Sequence, residues 1–357
     1  MSRYTVPMTI TCIGPVPGLH IAGMGTAFPP LVLDNAAVLA DIAVRAGRPH
    51  NPARIAHAAE ALQEELGLHR RAWTHRVGTP QQPGQELTAV DLGVQAARKA
   101  LDASGLAPDA IGAVLVATSS PHRMTGTVSA AIAAALGLRC MAMDTRAGCA
   151  SGLFALSTAA LYVQAGVSAV LLIGAETFSK VVPPDVPAAV ISLADGAAAM
   201  VLTAGESAVL SAAMETDGAF GALVSTPGPM PPTVEAVLAG GYQLSGQPDE
   251  LKQVIPLRYQ DAVEKALDHA GLAVKDIDRY VPHQAGAPVI RAVCAAVGIP
   301  LERAWISSDR HGNVGAAGWM VALAEALEEG FAKPGHTVAL AAVGGGMSWA
   351  CVLLRLG

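Results

Sequence analysis

The 357-residue sequence predicts an α/β fold of two similar halves, stacked in five layers of helix, sheet, helix, sheet and helix. Three observations support this. Hydrophobic residues make up 52% and charged residues 15%, and mean hydropathy is +0.42. That is ample for a large aliphatic core and is the opposite of a disordered composition. Short aliphatic and β-branched runs alternate with helical patterns, as they do where parallel sheets are covered on both faces. The same number of positions separates Ser119 from Cys149 as separates His283 from Asn313. Each spacing runs from a strand end to a helix start, so one βαβ-rich unit occurs twice. At about 150 residues per domain the length also fits roughly two units, expected at 1–205 and 206–357.

Taken in order, strands are expected at 111–118, 167–173 and 337–343, where apolar residues run without alternation. Helices are expected at 89–103, 127–136, 153–164, 259–270 and 321–328. Segment 229–257, rich in Pro, Gly and polar residues, reads as an insertion or linker near the junction of the halves. The stretch from Ala147 to Ala175 contains no charge, which raises the question of a membrane span. Such a span needs about 20 predominantly apolar residues. Here Ser151, Ser157, Thr158, Gln164 and Ser168 interrupt the stretch and Gly166 divides it, so a buried helix followed by a buried strand is expected, without membrane insertion.

The net charge is −6 and the pI about 5.9, and the sequence has no basic run. Nucleic-acid binders are usually basic, so no nucleic-acid partner is expected. The N-terminal residues lack the continuous apolar core of a secretory signal. The five cysteines, at 12, 140, 149, 294 and 351, show no CxxC spacing. Neither a disulfide framework nor a metal site is expected, and a reducing cytoplasm is.

Cys149 lies in Asp144-Thr145-Arg146-Ala147-Gly148-Cys149-Ala150-Ser151-Gly152, a small-residue turn opening the uncharged helix. A thiol there faces free N–H groups and the positive end of the helix dipole, which favours thiolate. A nucleophile and a buried structural cysteine are both compatible with that position. His283 closes a strand in Tyr280-Val281-Pro282-His283-Gln284-Ala285, at the kind of strand end where α/β folds place ligands. Asn313, in Asp309-Arg310-His311-Gly312-Asn313-Val314-Gly315, again precedes a helix. Taken singly, each reads equally as a functional group or a hydrogen-bonded loop residue. Gly344-Gly345-Gly346 could present backbone N–H groups, but it lacks the GK[ST] ending of a phosphate loop.

In their order and spacing, the motifs GCASG, VPHQAG, DRHGNVGAAG and GGGMSW resemble the β-ketoacyl synthase III family of the thiolase superfamily. The likeness begins near Leu19-His20-Ile21-Ala22-Gly23-Met24-Gly25. It continues through Glu64-Glu65-Leu66-Gly67-Leu68-His69-Arg70-Arg71 and Leu193-Ala194-Asp195-Gly196-Ala197-Ala198 to the end of the chain. The resemblance implies the thiolase fold, a homodimer and catalysis by Cys149, His283 and Asn313, with no cofactor. In such a reaction the cysteine takes an acyl group from an acyl-CoA or acyl-carrier thioester. A malonyl-type thioester then loses carbon dioxide and its enolate attacks the acyl-enzyme. Neutral His283 and the Asn313 amide would donate to the developing enolate, and the N–H groups of Cys149 and Gly345 would form an oxyanion hole. His311 matches no catalytic position and is expected to be local structure.

Departures from the family pattern concern substrate handling. Ala61, Glu65 and Ala188 stand where fatty-acid-initiating members hold an aromatic residue and two arginines against coenzyme A. Gly286, Pro288 and the pair Ala295-Ala296 replace an Asn and basic residues. Thr125 stands where some members place a Phe that ends the partner's acyl tunnel. These losses imply a specialised member that takes a non-acetyl acyl group, in fatty-acid or secondary metabolism. An acyltransferase of the same fold, acting on a hydroxyl or amine without forming a carbon–carbon bond, is the alternative. A third possibility, a non-catalytic partner subunit, is disfavoured because such subunits generally lose the cysteine or histidine and both are present.

Overall fold

The computed structural model describes residues 10–48, 51–80 and 87–357. Its frame is a mixed sheet with two matching wings. In the first wing, Ala113–Ala117 lies parallel to both Met141–Thr145 and Ala169–Thr177, and the latter pairs antiparallel with Asp195–Thr216. In the second, Arg279–Pro282 lies parallel to Thr337–Gly344 and touches Ala304 through a parallel bridge. Thr337–Gly344 then pairs antiparallel with Ser348–Arg355. The order of directions is the same in both wings, so the repeat inferred from spacing is a repeat of structure.

The 22-residue strand Asp195–Thr216 joins the wings. Its first part pairs with Ala169–Thr177 and its last part with Ser348–Arg355. The boundary expected at 205/206 falls inside this strand. The sheets are mixed, where parallel ones were expected. Only Gly345, Gly346 and Met347 separate Thr337–Gly344 from Ser348–Arg355, and a parallel crossover needs a dozen residues or more.

Side-chain alternation produces the layers. Ala113 and Leu115 face a central cluster, whereas Val114 and Val116 face an outer one with the helices Ala89–Ser104 and Val128–Ala135. In the second wing Val338 and Leu340 enter the same central cluster, and Ala339 and Ala341 face the helices Pro248–Ala270 and Ala287–Val297. Between the wings lie the helices Ser151–Gln164 and Gly318–Glu328. They are apolar nearly all round because both faces are covered. This is the five-layered thiolase arrangement.

The uncharged stretch resolves into the 14-residue helix Ser151–Gln164 and the strand Ala169–Thr177. At 1.5 Å per residue that helix is about 21 Å long, short of a bilayer core of about 30 Å. Among the described residues no helix is long and apolar enough to cross a membrane.

Segment 229–257 differs in part from the expectation. It holds the short helix Val234–Leu238, but its last residues already belong to the 23-residue helix Pro248–Ala270. Pro256 inside that helix concealed it from the sequence pattern, since proline removes a hydrogen-bond donor and normally ends a helix. Burial of Val254 and Tyr259 on one side offsets that cost.

Candidate active site

Each wing delivers one helix N-terminus to the centre. After strand Met141–Thr145 the chain turns through 147–150, and Ser151 closes the turn. Its hydroxyl accepts from the Ala147 N–H at 2.7 Å and donates to the Gly148 carbonyl at 2.5 Å. Cys149 therefore sits one residue before the cap of Ser151–Gln164. Two glycines bring a second backbone against it. A Cβ on Gly344 would collide with the Cys149 backbone nitrogen, and one on Gly148 with the nitrogen of Gly345. Gly148 also has φ +56°, which favours glycine. Gly344→Ala should cost about 1–3 kcal/mol, as overpacking of a tight contact does, and would show as a lower urea midpoint together with slower Cys149 acylation.

The electrostatics correct one expectation. Cys149 keeps some exposure, but dense protein around its sulfur, helped by the nearby Glu176 carboxylate, pushes the thiol up to about 12. The helix start was expected to favour thiolate. Loss of hydration and a like charge outweigh it, because both disfavour the anion.

His283 follows the strand Arg279–Pro282, and its N–H donates to the Ala341 carbonyl at 2.7 Å. It is 2% exposed. Burial lowers its pKa to about 4, against an opposing pull from the Gly315 backbone, so the ring is neutral near pH 7. The neighbouring Gln284 spans two loops. Its Nε2 donates to the Pro282 and Trp305 carbonyls, while Oε1 accepts from the N–H groups of Ser307 and Ser308.

Asn313 is fixed on its backbone and its side chain. Its N–H donates to the Ser192 carbonyl at 2.8 Å, and its own carbonyl accepts from Ala194 at 2.9 Å. Oδ1 accepts from the Gly315 N–H at 2.9 Å, which fixes the amide orientation and turns Nδ2 into the group it can offer. His311 behaves as local structure: it stacks on Phe28 with ring centroids 4.3 Å apart and pairs with Glu325 at 2.7 Å.

The turn Gly315–Gly318 brings these groups together. It holds the Asn313 side chain, its backbone acts on His283, and a Cβ on Gly318 would lie 3.1 Å from His283 Nδ1. A Cβ on Gly152, in the cysteine's helix, would lie 2.9 Å from the Ala316 carbonyl oxygen. Among the described residues, no group of three His, Cys, Asp or Glu side chains could hold a metal ion.

Two buried carboxylates escaped the sequence reading. Asp195 accepts from Thr74 and Ser179, tying the 74–75 loop to the sheet. Glu176 lies 0% exposed beside the turn. A charged residue inside an otherwise apolar run, as in Leu171-Leu172-Ile173-Gly174-Ala175-Glu176, was the available signal. Thr125 stands exposed in the loop between Ala113–Ala117 and Val128–Ala135, beside Met124. Ala61 and Glu65 on the helix Pro52–Leu66, and Ala188 at the start of Pro187–Ser192, are likewise exposed.

A duplicated α/β fold with a cysteine and an asparagine at paired helix starts, and a histidine at a strand end, defines the thiolase class of proteins. The comparisons narrow this. Residues 143–218 match the family model for 3-oxoacyl-[acyl-carrier-protein] synthase III, and residues 267–356 match its C-terminal model. The chain is 32% identical over 342 residues to the β-ketoacyl-[acyl-carrier-protein] synthase III of Erythrobacter litoralis, covering 94% of this chain and 98% of that one. It is 37% identical over 281 residues to the Brucella abortus S19 protein of the same name, covering 76% and 85%. The crystal structure of 3-oxoacyl-(acyl carrier protein) synthase III from Pseudomonas aeruginosa superposes with TM-score 0.81 at 26% identity, covering 95% and 98%. The chain belongs to the β-ketoacyl-[acyl-carrier-protein] synthase III family and is a condensing enzyme of that kind.

Proposed function

We propose that this enzyme loads a non-acetyl acyl group onto Cys149 and condenses it with a malonyl-type thioester. The observation that supports the reading is the Gly315–Gly318 turn, which gathers a neutral imidazole and an amide oriented to donate beside the helix that starts at Cys149. The Cys149 sulfur attacks the acyl thioester carbonyl and loses its proton to the neutral ring of His283. The carbon–sulfur bond of the donor breaks, and the donor thiol leaves with that proton. The malonyl thioester then loses carbon dioxide, and its enolate oxygen receives hydrogen bonds from His283 and Asn313 Nδ2. The enolate carbon attacks the acyl carbonyl, whose oxygen is held by the N–H groups of Cys149 and Gly345. Collapse of that intermediate breaks the bond to the sulfur and releases the β-ketoacyl product, and the expelled thiolate takes a proton from solvent to return to its thiol. Donors placed where charge develops stabilise the transition state more than the ground state.

Donor choice follows from absent groups. With Ala61, Glu65 and Ala188 exposed and without aromatic or cationic reach, coenzyme A gains few contacts, so donors arrive mainly on a carrier protein. Mass spectrometry of the intact protein after incubation with acyl-CoA and acyl-carrier panels, with carbon dioxide release from malonyl thioesters, tests the reading. Acylation of a hydroxyl or amine acceptor with no carbon dioxide from any malonyl thioester would assign the transferase chemistry instead.

The acyl pocket is the next expectation. In a homodimer the exposed loop holding Thr125 reaches the partner's acyl tunnel. Thr in place of an aromatic frees room for several methylenes, each contributing about 0.8 kcal/mol when buried. Three of them amount to about 2.4 kcal/mol, roughly fiftyfold in affinity. Thr125→Phe should shift preference toward acetyl and short chains with Cys149 reactivity intact, read by competition between acetyl and medium-chain donors. A wild-type preference for acetyl-CoA would overturn both the pocket and the donor arguments.

A further inference from the structure

The loading and condensation steps make no use of Glu176, although this residue holds the Ala316 N–H of the turn that positions Asn313. The side chain leaves the last turn of the strand Ala169–Thr177 and is fully buried. Oε1 accepts from the Ser119 N–H at 2.9 Å and the Ala316 N–H at 3.2 Å. Oε2 accepts from the Ser120 N–H at 3.0 Å, the Ser120 hydroxyl at 2.5 Å and the Thr118 hydroxyl at 3.4 Å. Every one of these partners donates, so the pocket is built for an acceptor-only group, which a carboxylate is and an amide is not. One of these connections crosses between wings: Ala316 belongs to the turn that orients Asn313, whereas Ser119 follows the first-wing strand Ala113–Ala117.

Gly315 shows how tight this junction is. Its φ is +51°, and an added Cβ would lie 2.9 Å from Glu176 Oε1 and 2.5 Å from the Phe178 ring. The same glycine donates to Asn313 Oδ1, and its backbone acts on His283. Movement of the carboxylate therefore moves the turn, and movement of the turn moves both enolate donors. Cys149 also lies within electrostatic reach of Glu176.

We infer that Glu176 is a positioning residue: its carboxylate clamps the Gly315–Ala316 turn so that Asn313 and His283 converge. The clamp rests on the condensing reading, and the charge of Glu176 adds to the burial that raises the Cys149 thiol. Burial raises Glu176 to about 7, with the donors from Ser119, Ser120 and Ala316 pulling the other way. The remaining titratable groups at this point are His283, neutral above about 4, and Tyr259 of the helix Pro248–Ala270, which burial and Cys149 raise well above its ordinary value. Between pH 7.5 and 10 neither changes charge, so the alkylation profile follows the Cys149 thiol's own ionisation and its difference between wild type and Glu176→Gln reports the carboxylate's charge.

The test compares wild type with Glu176→Gln and Glu176→Asp. Iodoacetamide alkylation of Cys149 is followed against pH by intact mass, and carbon dioxide release from malonyl-CoA or a malonyl-carrier thioester is measured alongside. In Glu176→Gln, removal of a like charge should move the alkylation profile to lower pH, on the order of one unit. In the same variant decarboxylation should fall at least about tenfold, since an amide N–H turned toward backbone donors opens the turn. Glu176→Asp keeps the charge, so its alkylation profile should stay near wild type while decarboxylation falls less. A purely structural role would slow both readouts without moving the profile to lower pH. An unmoved profile in Glu176→Gln overturns the charge effect, and undiminished decarboxylation overturns the clamp. If wild type itself releases no carbon dioxide from any malonyl thioester, the condensing reading and the clamp fail together, and the alkylation profiles still decide the effect of the charge.

Discussion

Cys149→Ala should abolish covalent loading by every thioester donor, and peptide mapping of the loaded wild type is expected to find the acyl group on Cys149 alone. The other cysteines cannot substitute. Cys294 and Cys351 are buried in the second wing, and burial raises their thiols, Cys294 to about 11. Burial likewise raises the part-exposed Cys12 and Cys140, and neither stands at a helix start. Cys149 has a raised thiol too, so its selectivity comes from place. It is the one cysteine with a helix N-terminus behind it and the Gly344–Gly345 backbone against it. The attack is therefore expected to depend on an acceptor for the proton, and His283→Ala should slow loading as well as condensation. An acyl group mapped to Cys140 or Cys294 would exclude this assignment.

The second large effect separates the two half-reactions. Asn313→Ala should leave acyl loading nearly unchanged and reduce malonyl decarboxylation about a hundredfold or more, the range found when a donor to a developing oxyanion is removed. The geometry motivates the asymmetry. Asn313 Oδ1 is occupied by the Gly315 N–H, so Nδ2 has a fixed direction and helps only where negative charge appears on the second substrate. Loading measured by intact mass and carbon dioxide measured from a malonyl thioester are the two readouts. Equal losses in both would mean that Asn313 serves the fold of the turn and not the enolate.

How much of this was legible beforehand depended on the kind of signal. The strands Ala113–Ala117 and Thr337–Gly344 and the helices Ala89–Ser104 and Ser151–Gln164 were legible within a few residues, because their local patterns agree with their burial. Val16–Ala27 and Asp195–Thr216 were not. Rich in Gly and Ala, they have little intrinsic tendency to be strands. They become strands because Asp195–Thr216 pairs with neighbours on both sides along most of its length. Helix Pro248–Ala270 was shortened in the reading by Pro256, a local rule overridden by packing on the sheet.

By itself the sequence pointed to the five-layered duplication through equal spacings, and through its resemblance to a family it marked Cys149, His283 and Asn313 as candidates. The duplication depends on spacing along one chain, which any folded state of that chain must respect. The sequence also determined that His311 is scaffolding, since only Asn313 in that turn stands at the motif position. Only the tertiary structure shows the burial that shifts Cys149 and His283 and the contact of Glu176 with Ala316. Whether Cys149 rests as thiol depends on how much protein surrounds the sulfur and on a carboxylate 27 positions further along the chain. Likewise Glu176 meets Ala316 only because the two wings fold against each other across 140 residues. Desolvation and through-space charge have no period in a sequence, so they become visible only once the wings have closed.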